Sequence, residues 1–222
     1  MEGALVTARV LLVAKAPVPG RVKTRLGAGV GLDLAAELAA AALLDTLAAC
    51  VDAVGPARCH LSLDGDLDEA LEAEAIRRLL GGWSVTPQRG DGFGERLAHA
   101  HADCGPGPIV QIGMDTPQVG PGHLLDVAAA LTAYDGVLGP AEDGGWWVLG
   151  LRDPLAADAL RGVAMSTPST YADTRAALTG RGLRVADAVT LRDVDTAGDA
   201  GVVAAEAPHT LFARRWQAVA AR

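Results

Sequence analysis

Val10-Leu-Leu-Val-Ala-Lys-Ala-Pro-Val-Pro-Gly-Arg-Val-Lys-Thr-Arg-Leu26 decides how this sequence is read. Its first half is an apolar run that suits a strand covered on both faces, and its second half is a loop carrying Lys15, Arg21, Lys23 and Arg25. From Gly3 to Leu32 there are five Lys or Arg and no acid, although the chain as a whole has 19 basic against 27 acidic residues and a net charge of −8. Such a local positive excess at the end of a strand predicts an anionic ligand. Pro17, Pro19 and Gly20 fix the loop and let its backbone approach that ligand, while Arg offers forked donors to phosphate oxygens and Lys a compact charge. A solvated basic loop is the other reading.

The surrounding composition narrows the ligand. With 222 residues, half of them apolar, the chain can bury one sizeable core, so a single domain over 1–222 is expected. The acidic balance argues against nucleic acid or a membrane surface as a partner, since both favour positive charge spread over a face, and leaves a small molecule. Cys50, Cys59 and Cys104 are odd in number and contain no Cys-x-x-Cys pair. They signal neither a disulfide framework nor a zinc knuckle, which fits the reducing cytoplasm. The opening Met-Glu-Gly lacks a basic n-region, and the apolar run after it is interrupted by Lys15 and two prolines well short of a membrane span, so no targeting segment is read.

Further Val-, Ile- and Leu-rich runs at residues 57–63, 108–113, 136–139 and 146–151 read as strands like the first at 8–14. Helical patterns occupy 32–53, 66–80, 94–104, 121–133, 168–180, 196–206 and 209–221. Leu34, Leu38, Ala42 and Leu43 show the helical spacing in the first of these, and Gly55-Pro56 stops it. Alternating strands and helices of this length predict right-handed crossovers in an α/β, three-layer fold with a mostly parallel sheet. The pattern changes where two apolar runs flank Pro140-Ala-Glu-Asp-Gly-Gly145, which reads as an antiparallel hairpin excursion. No repeat is present.

In an open α/β sheet, ligands sit beyond the carboxyl ends of the strands. The basic loop falls there, and so does Asp115, which ends the run Pro108-Ile-Val-Gln-Ile-Gly-Met-Asp115. Asp115-Thr-Pro117 could also prepare the following helix. In Asp193-Val-Asp195, the two acids share a face if the segment is extended, and Thr196 with Asp199 forms a capping box that leaves Asp195 over. Two carboxylates from separate strand ends beside a basic loop describe a Mg²⁺ site, or one for Mn²⁺ in its place, because magnesium takes few protein oxygens and completes its shell with water and phosphates. Asp143-Gly144 is a good hairpin turn; Glu142 and Asp143 could equally face an acceptor, with one of Trp146 and Trp147 in the core and the other lining a pocket. Gln88-Arg-Gly-Asp-Gly-Phe-Gly-Glu-Arg96 is a glycine-rich loop leading into a helix whose first amides suit an anion or a ribose or base edge. Neither a Walker loop nor a Gly-x-Ser-x-Gly elbow occurs, and Gly27-Ala-Gly-Val-Gly31 has the wrong spacing for a dinucleotide fingerprint. His99 and His101, two apart on a helix, read as surface residues.

Ala14 to Leu26, Gly90 to Arg96, Ile112 to Pro117, Gly139 to Trp147 and Asp193 to Thr196 together resemble a bacterial family of GT-A-type glycosyltransferase-like proteins, some associated with arsenosugars. More distantly, they are similar to 2-phospholactate guanylyltransferase and the molybdenum-cofactor nucleotidyltransferases. The resemblance implies a GT-A, nucleotide-diphospho-sugar transferase-like fold. It also implies phosphate contacts from Lys15, Pro19, Gly20, Arg21, Lys23 and Arg25, nucleoside contacts from Gly90, Asp91, Gly92 and Arg96, and metal ligation by Asp115 and Asp195. Gly144, Gly145, Trp146 and Trp147 would hold the acceptor, Lys23 and Arg25 would be catalytic, and Glu142 or Asp143 would position or deprotonate the acceptor. Trp146-Trp147 stands where the family more often has tyrosines, and Met165 where a tryptophan is common, which leaves the acceptor open. The expected activity is Mg²⁺-dependent nucleotidyl transfer from a nucleoside triphosphate to a small phosphate- or carboxylate-bearing acceptor, releasing pyrophosphate. Glycosyl transfer from a nucleotide sugar is the alternative, and a non-catalytic nucleotide-binding module the third reading.

Overall fold

The computed structural model describes residues 8–220. The opening Met-Glu-Gly and residue 221 of the last expected helix lie outside them. The strands are β1 (Arg9–Lys15), β2 (Cys59–Asp64), β3 (Ser84–Pro87), β4 (Ile109–Gly113), β5 (Gly136–Pro140), β6 (Trp146–Leu151) and β7 (Val185–Asp187). The helices are α1 (Thr24–Val30), α2 (Leu32–Val54), α3 (Ala73–Leu79), α4 (Phe93–Asp103), α5 (Pro121–Ala130), α6 (Thr170–Thr179), α7 (Ala197–Glu206) and α8 (Leu211–Ala220), with a 3₁₀ segment at Pro154–Gly162. All seven strands form one sheet in the order β3-β2-β1-β4-β6-β5-β7. β6 runs antiparallel to both its neighbours, and every other pairing is parallel. The α/β architecture and the excursion are therefore those read from the sequence.

The continuous apolar run of β1 follows from its central position. Val10, Leu12 and Ala14 pack on one side of the sheet with Leu43 and Leu47 of α2 and Val127 of α5. Leu11 and Val13 pack on the other with Leu97 of α4 and Ala157 and Leu160 of the 3₁₀ segment. A third cluster joins α1 and α2 to the last two helices through Leu26, Leu38, Val203 and Phe212. By length and composition α2 could cross a membrane, yet 72% of its most apolar window is buried inside this fold. The small alanines of that helix allow this close packing.

Several elements depart from the sequence reading, among them the 3₁₀ segment Pro154–Gly162, where no element was expected. α1 was not expected, β3 and β7 are edge strands too short and exposed to show a pattern, and the helix expected at 66–80 is a 3₁₀ turn at Leu67–Glu69 followed by the shorter α3. The 3₁₀ segment Pro154–Gly162 packs so tightly on α4 that a Cβ on Gly94 would lie 2.2 Å from the Leu160 carbonyl oxygen. At the tip of the β5–β6 hairpin, Gly144 has φ +90°, and a Cβ there would lie 2.2 Å from the Pro168 oxygen. Only glycine lets this tip rest on the segment before α6, where Tyr171 N donates to Gly144 O at 2.9 Å.

Candidate active site at the carboxyl ends of β1 and β4

Lys23 is the point on which the site converges. It immediately precedes α1 in the left-handed region, with φ 49° and ψ 42°, a conformation that costs a non-glycine residue on the order of 1–3 kcal/mol. Its side chain is 8% exposed, and Nζ lies 2.8 Å from Asp115 Oδ1 and 3.2 Å from Asp195 Oδ1. Burial alone would lower the pKa of this ammonium, but the charges of Asp115 and Asp195 outweigh it and hold the value above the ordinary one. Lys23 is therefore a permanent cation between two carboxylates.

Backbone pairing brings those carboxylates together. Asp115 follows β4, Asp195 precedes α7, and Val194 N donates to Asp115 O at 2.9 Å. The capping box read from the sequence is present: Asp199 Oδ2 accepts from Thr196 N at 2.9 Å, and Thr196 Oγ1 accepts from Asp199 N at 3.3 Å. This fixes where α7 starts and leaves Asp195 outside the cap. Asp115 does not cap α5, whose preceding Gly120 N donates instead to His123 Nδ1 at 3.0 Å.

Two clefts meet at this ion-paired centre. On the β1 side is a basic cleft of about 430 Å³ lined by Lys15, Arg21, Lys23, Arg25 and Arg96. Lys15 and Arg96 both face Asp64, at 3.7 and 3.5 Å, Arg21 pairs with Glu69 at 2.5 Å, and Arg25 with Asp195 at 3.2 Å. Five cations are thus set against four acids, Asp64, Glu69, Asp115 and Asp195, and the excess is smaller than the loop alone suggested. Pro19 and Gly20 are exposed and do not line the cleft, nor do Gly90 and Asp91, while Gly92 borders a neighbouring groove beside Glu95 and Arg161. The glycine-rich loop instead contributes Phe93, which lines both clefts and has the Arg96 guanidinium 5.7 Å from its ring centroid. Sequence reading passed over Phe93; its signal was a lone aromatic between two glycines at a helix start.

On the β6 side is an acidic cleft of about 460 Å³ whose charged lining is Asp115, Asp143, Asp193 and Asp195 with Arg25. Gly145, Trp146 and Trp147 all border it, Trp147 from within the core, with Trp146 Nε1 donating to Thr174 Oγ1 at 3.1 Å and Trp147 Nε1 to Val189 O at 2.8 Å. Gly144 does not line it; its role is the close approach to Pro168. Asp143 does line it, with Oδ1 accepting from Gly145 N at 2.8 Å. Glu142 is drawn away by Arg192, which also holds Asp199 at 3.0 Å, and lines neither cleft. Of the two alternatives, Glu142 and Asp143, only Asp143 borders the cleft. Asp193, left out of the expected site, has a buried Oδ1 with no partner, and its carboxyl pKa is pushed up to about 7 by burial and then by Asp115 and Asp143. Gln111, Ser166, Thr167 and Thr170 complete the walls, and none carried a recognisable sequence signal.

A family profile described as "Uncharacterized protein conserved in bacteria (DUF2064)" matches residues 46–167. No curated protein matches the chain. Among solved structures, a candidate nucleotide-diphospho-sugar transferase from Desulfovibrio desulfuricans G20 is 30% identical with a TM-score of 0.81, the match covering 95% of this chain and 92% of that one. The 4-diphosphocytidyl-2C-methyl-D-erythritol synthase of Anaerococcus prevotii DSM 20548 is 10% identical with a TM-score of 0.58, covering 90% and 99%. A CMP:2-keto-3-deoxy-manno-octonic acid synthetase complexed with CTP is 12% identical with a TM-score of 0.56, covering 91% and 100%. At such identities the last two establish the shared fold alone.

Proposed function

The chain belongs to the bacterial DUF2064 family, and on that footing we propose that it is a nucleotide-dependent transferase whose phosphate chain lies in the basic cleft and whose second substrate enters the acidic one. The observation that carries this reading is Lys23 Nζ between Asp115 and Asp195 at the junction of the two clefts. A nucleotide laid across that junction has cations along its phosphates, a phenyl ring near its nucleoside, and an open cleft beside its reacting phosphorus.

A divalent ion fits the donor set. Asp115 and Asp195 offer hard carboxylate oxygens that converge on Lys23 Nζ, so a divalent ion would share or take these oxygens from that ammonium, and no group of three or more His, Cys, Asp or Glu among the described residues forms a complete protein cage. Mg²⁺ needs no such cage, since it takes one or two carboxylates and fills the remaining positions with phosphate oxygens and water. Bound there, it would neutralise charge developing on the phosphates.

The chain's own residues account for the other requirements. Lys23 and Arg25 hold the phosphates and offset the negative charge that grows on the leaving group, Lys23 being placed for this in advance by its two ion pairs. Lys15, Arg21 and Arg96 neutralise the rest of the phosphate chain. The acidic cleft orients the acceptor oxygen toward the α-phosphorus, converting an encounter into a near-unimolecular step. Asp143 is the group placed to take the acceptor's proton, with one oxygen held by Gly145 N and the other without a partner among the described residues. As the acceptor oxygen bonds to the α-phosphorus, the bond from that phosphorus to the bridging oxygen breaks and pyrophosphate leaves. Five cations suit a triphosphate, which favours nucleotidyl transfer. The 30% identical Desulfovibrio protein favours a second reading, glycosyl transfer from a nucleotide sugar.

Phosphorus NMR of the protein with Mg²⁺ and panels of nucleoside triphosphates and nucleotide sugars separates the two. Acceptor-dependent pyrophosphate is the expected product. A nucleoside diphosphate released from a nucleotide sugar establishes the second reading, and binding of neither class overturns both.

A further inference from the structure

Gln111 is a polar residue in the middle of a buried strand. It is 3% exposed, lies between Ile109 and Gly113 on the β4 face turned toward α4, and lines the acidic cleft. Its Oε1 accepts from Nε2 of His101 at 3.0 Å. His101 is itself fully buried on α4, so it is not the surface histidine that its spacing suggested. Its Nδ1 has no partner among the described residues, which matches a neutral ring carrying its hydrogen on Nε2. Burial pulls its pKa down to about 4, so the ring remains neutral and the donated bond persists at ordinary pH. With Oε1 occupied in this way, the amide nitrogen of Gln111 has no partner among the described residues, and its donors are left for whatever fills the cleft.

The rest of the lining defines what that is. Its ionisable groups are the carboxyls of Asp115, Asp143, Asp193 and Asp195, against Arg25, whose side chain is 74% exposed and already paired with Asp195. Lys23 offsets Asp115 and Asp195 at the junction with the basic cleft, but a phosphate or carboxylate at the far end of this cleft would meet Asp143 and Asp193 with no cation lining that end. An uncharged hydroxyl group both donates and accepts, so it can satisfy the carboxylates and the Gln111 amide together. Ser166 and Thr167 add hydroxyls, with Ser166 held at φ +61°, the strained backbone that often marks a ligand-contacting residue. Trp146 supplies an aromatic surface on which the C–H face of a sugar can lie.

We propose that Gln111, positioned by His101, is the specificity-determining donor of the acidic cleft and selects an uncharged polyhydroxylated group there. This rests on the functional reading above and replaces the phosphate- or carboxylate-bearing acceptor expected from the sequence. His101 acts as a positioning residue, since it reaches the substrate only through the amide.

Saturation-transfer NMR and calorimetry on the full chain test this, with Mg²⁺, with and without a nucleoside diphosphate, using neutral hexoses and inositol against the corresponding sugar phosphates and uronic acids. The uncharged compounds are expected to bind, and their phosphorylated or carboxylated counterparts to bind at least about tenfold more weakly, as loss of one good hydrogen bond with added charge repulsion implies. Gln111→Leu should weaken the uncharged ligand about tenfold while leaving nucleotide affinity unchanged. His101→Leu should do the same, and His101→Gln, which restores a neutral donor, should recover part of the loss; a merely structural histidine would show no such rescue. Tighter binding of the anionic sugars, no binding by any uncharged member, or an unaltered Gln111→Leu protein would overturn the inference. Failure of the nucleotide arm alone would instead overturn the proposed function.

Discussion

The basic and acidic clefts share Asp115, Asp195, Arg25, Phe93 and Ser166 yet are built in opposite ways. Four of the five cations of the basic cleft come from one stretch that runs from the end of β1 into α1, and every one of them faces an acid. The acidic cleft gathers side chains from β4, the β5–β6 hairpin, the segment before α6 and the segment before α7, and among the described residues leaves the buried Asp193 Oδ1 without a partner and the Gln111 amide bonded through Oε1 alone. Charge that is already balanced can be lent to a phosphate without unfolding anything. Polar groups left unpaired in a buried wall are kept against a stability cost, and such residues cluster where a ligand satisfies them.

The sharpest way to break the contrast is at the shared centre. Asp115→Asn should abolish the metal dependence of nucleotide binding and lower turnover by about 100-fold or more, measured by calorimetry with and without Mg²⁺ and by a pyrophosphate assay. Undiminished metal dependence would remove Asp115 from the site.

Acid should next act on the acidic side. His101 has a folded-state pKa of about 4, below the ordinary 6.5, so the unfolded chain binds the extra proton first as the pH falls. The sign is therefore fixed: this contribution is fully present above pH 6.5 and is lost between 6.5 and 4, with an upper bound of about 3 kcal/mol. Denaturant titrations of the wild type and His101→Gln across that window check it, the variant showing the flatter profile.

Smaller effects separate the cations. Lys23→Ala should weaken nucleotide binding by roughly 1–3 kcal/mol, and Arg25→Ala, three-quarters exposed, by about 1 kcal/mol. The smallest change is expected of Glu142→Gln, whose partner is Arg192 outside both clefts: turnover within about twofold of wild type and stability within about 0.5 kcal/mol. A large loss of activity in that variant would return Glu142 to the site.

How much of this was legible follows from the same contrast. The β1 run, the basic loop, Asp115, Asp195 and the Thr196–Asp199 cap are local patterns, and each could be read because neighbours in sequence act together. The pairing of Glu142 with Arg192 could not be read, because Arg192 is adjacent only through the Ala141–Leu191 bridge. His101 and Gln111 were invisible as a pair because one lies on α4 and the other on β4, and their spacing carries no period. The edge strands β3 and β7 escaped notice because three or four half-exposed residues leave no alternation to count.

A crystal of the protein with a nucleoside diphosphate and Mn²⁺, examined for anomalous scattering, tests the central claim most directly. The account predicts a manganese peak against Asp115 and Asp195, with the phosphates in the basic cleft within hydrogen-bonding reach of Lys23 and Arg25. A nucleotide seated elsewhere, or a metal peak remote from those two carboxylates, would contradict it.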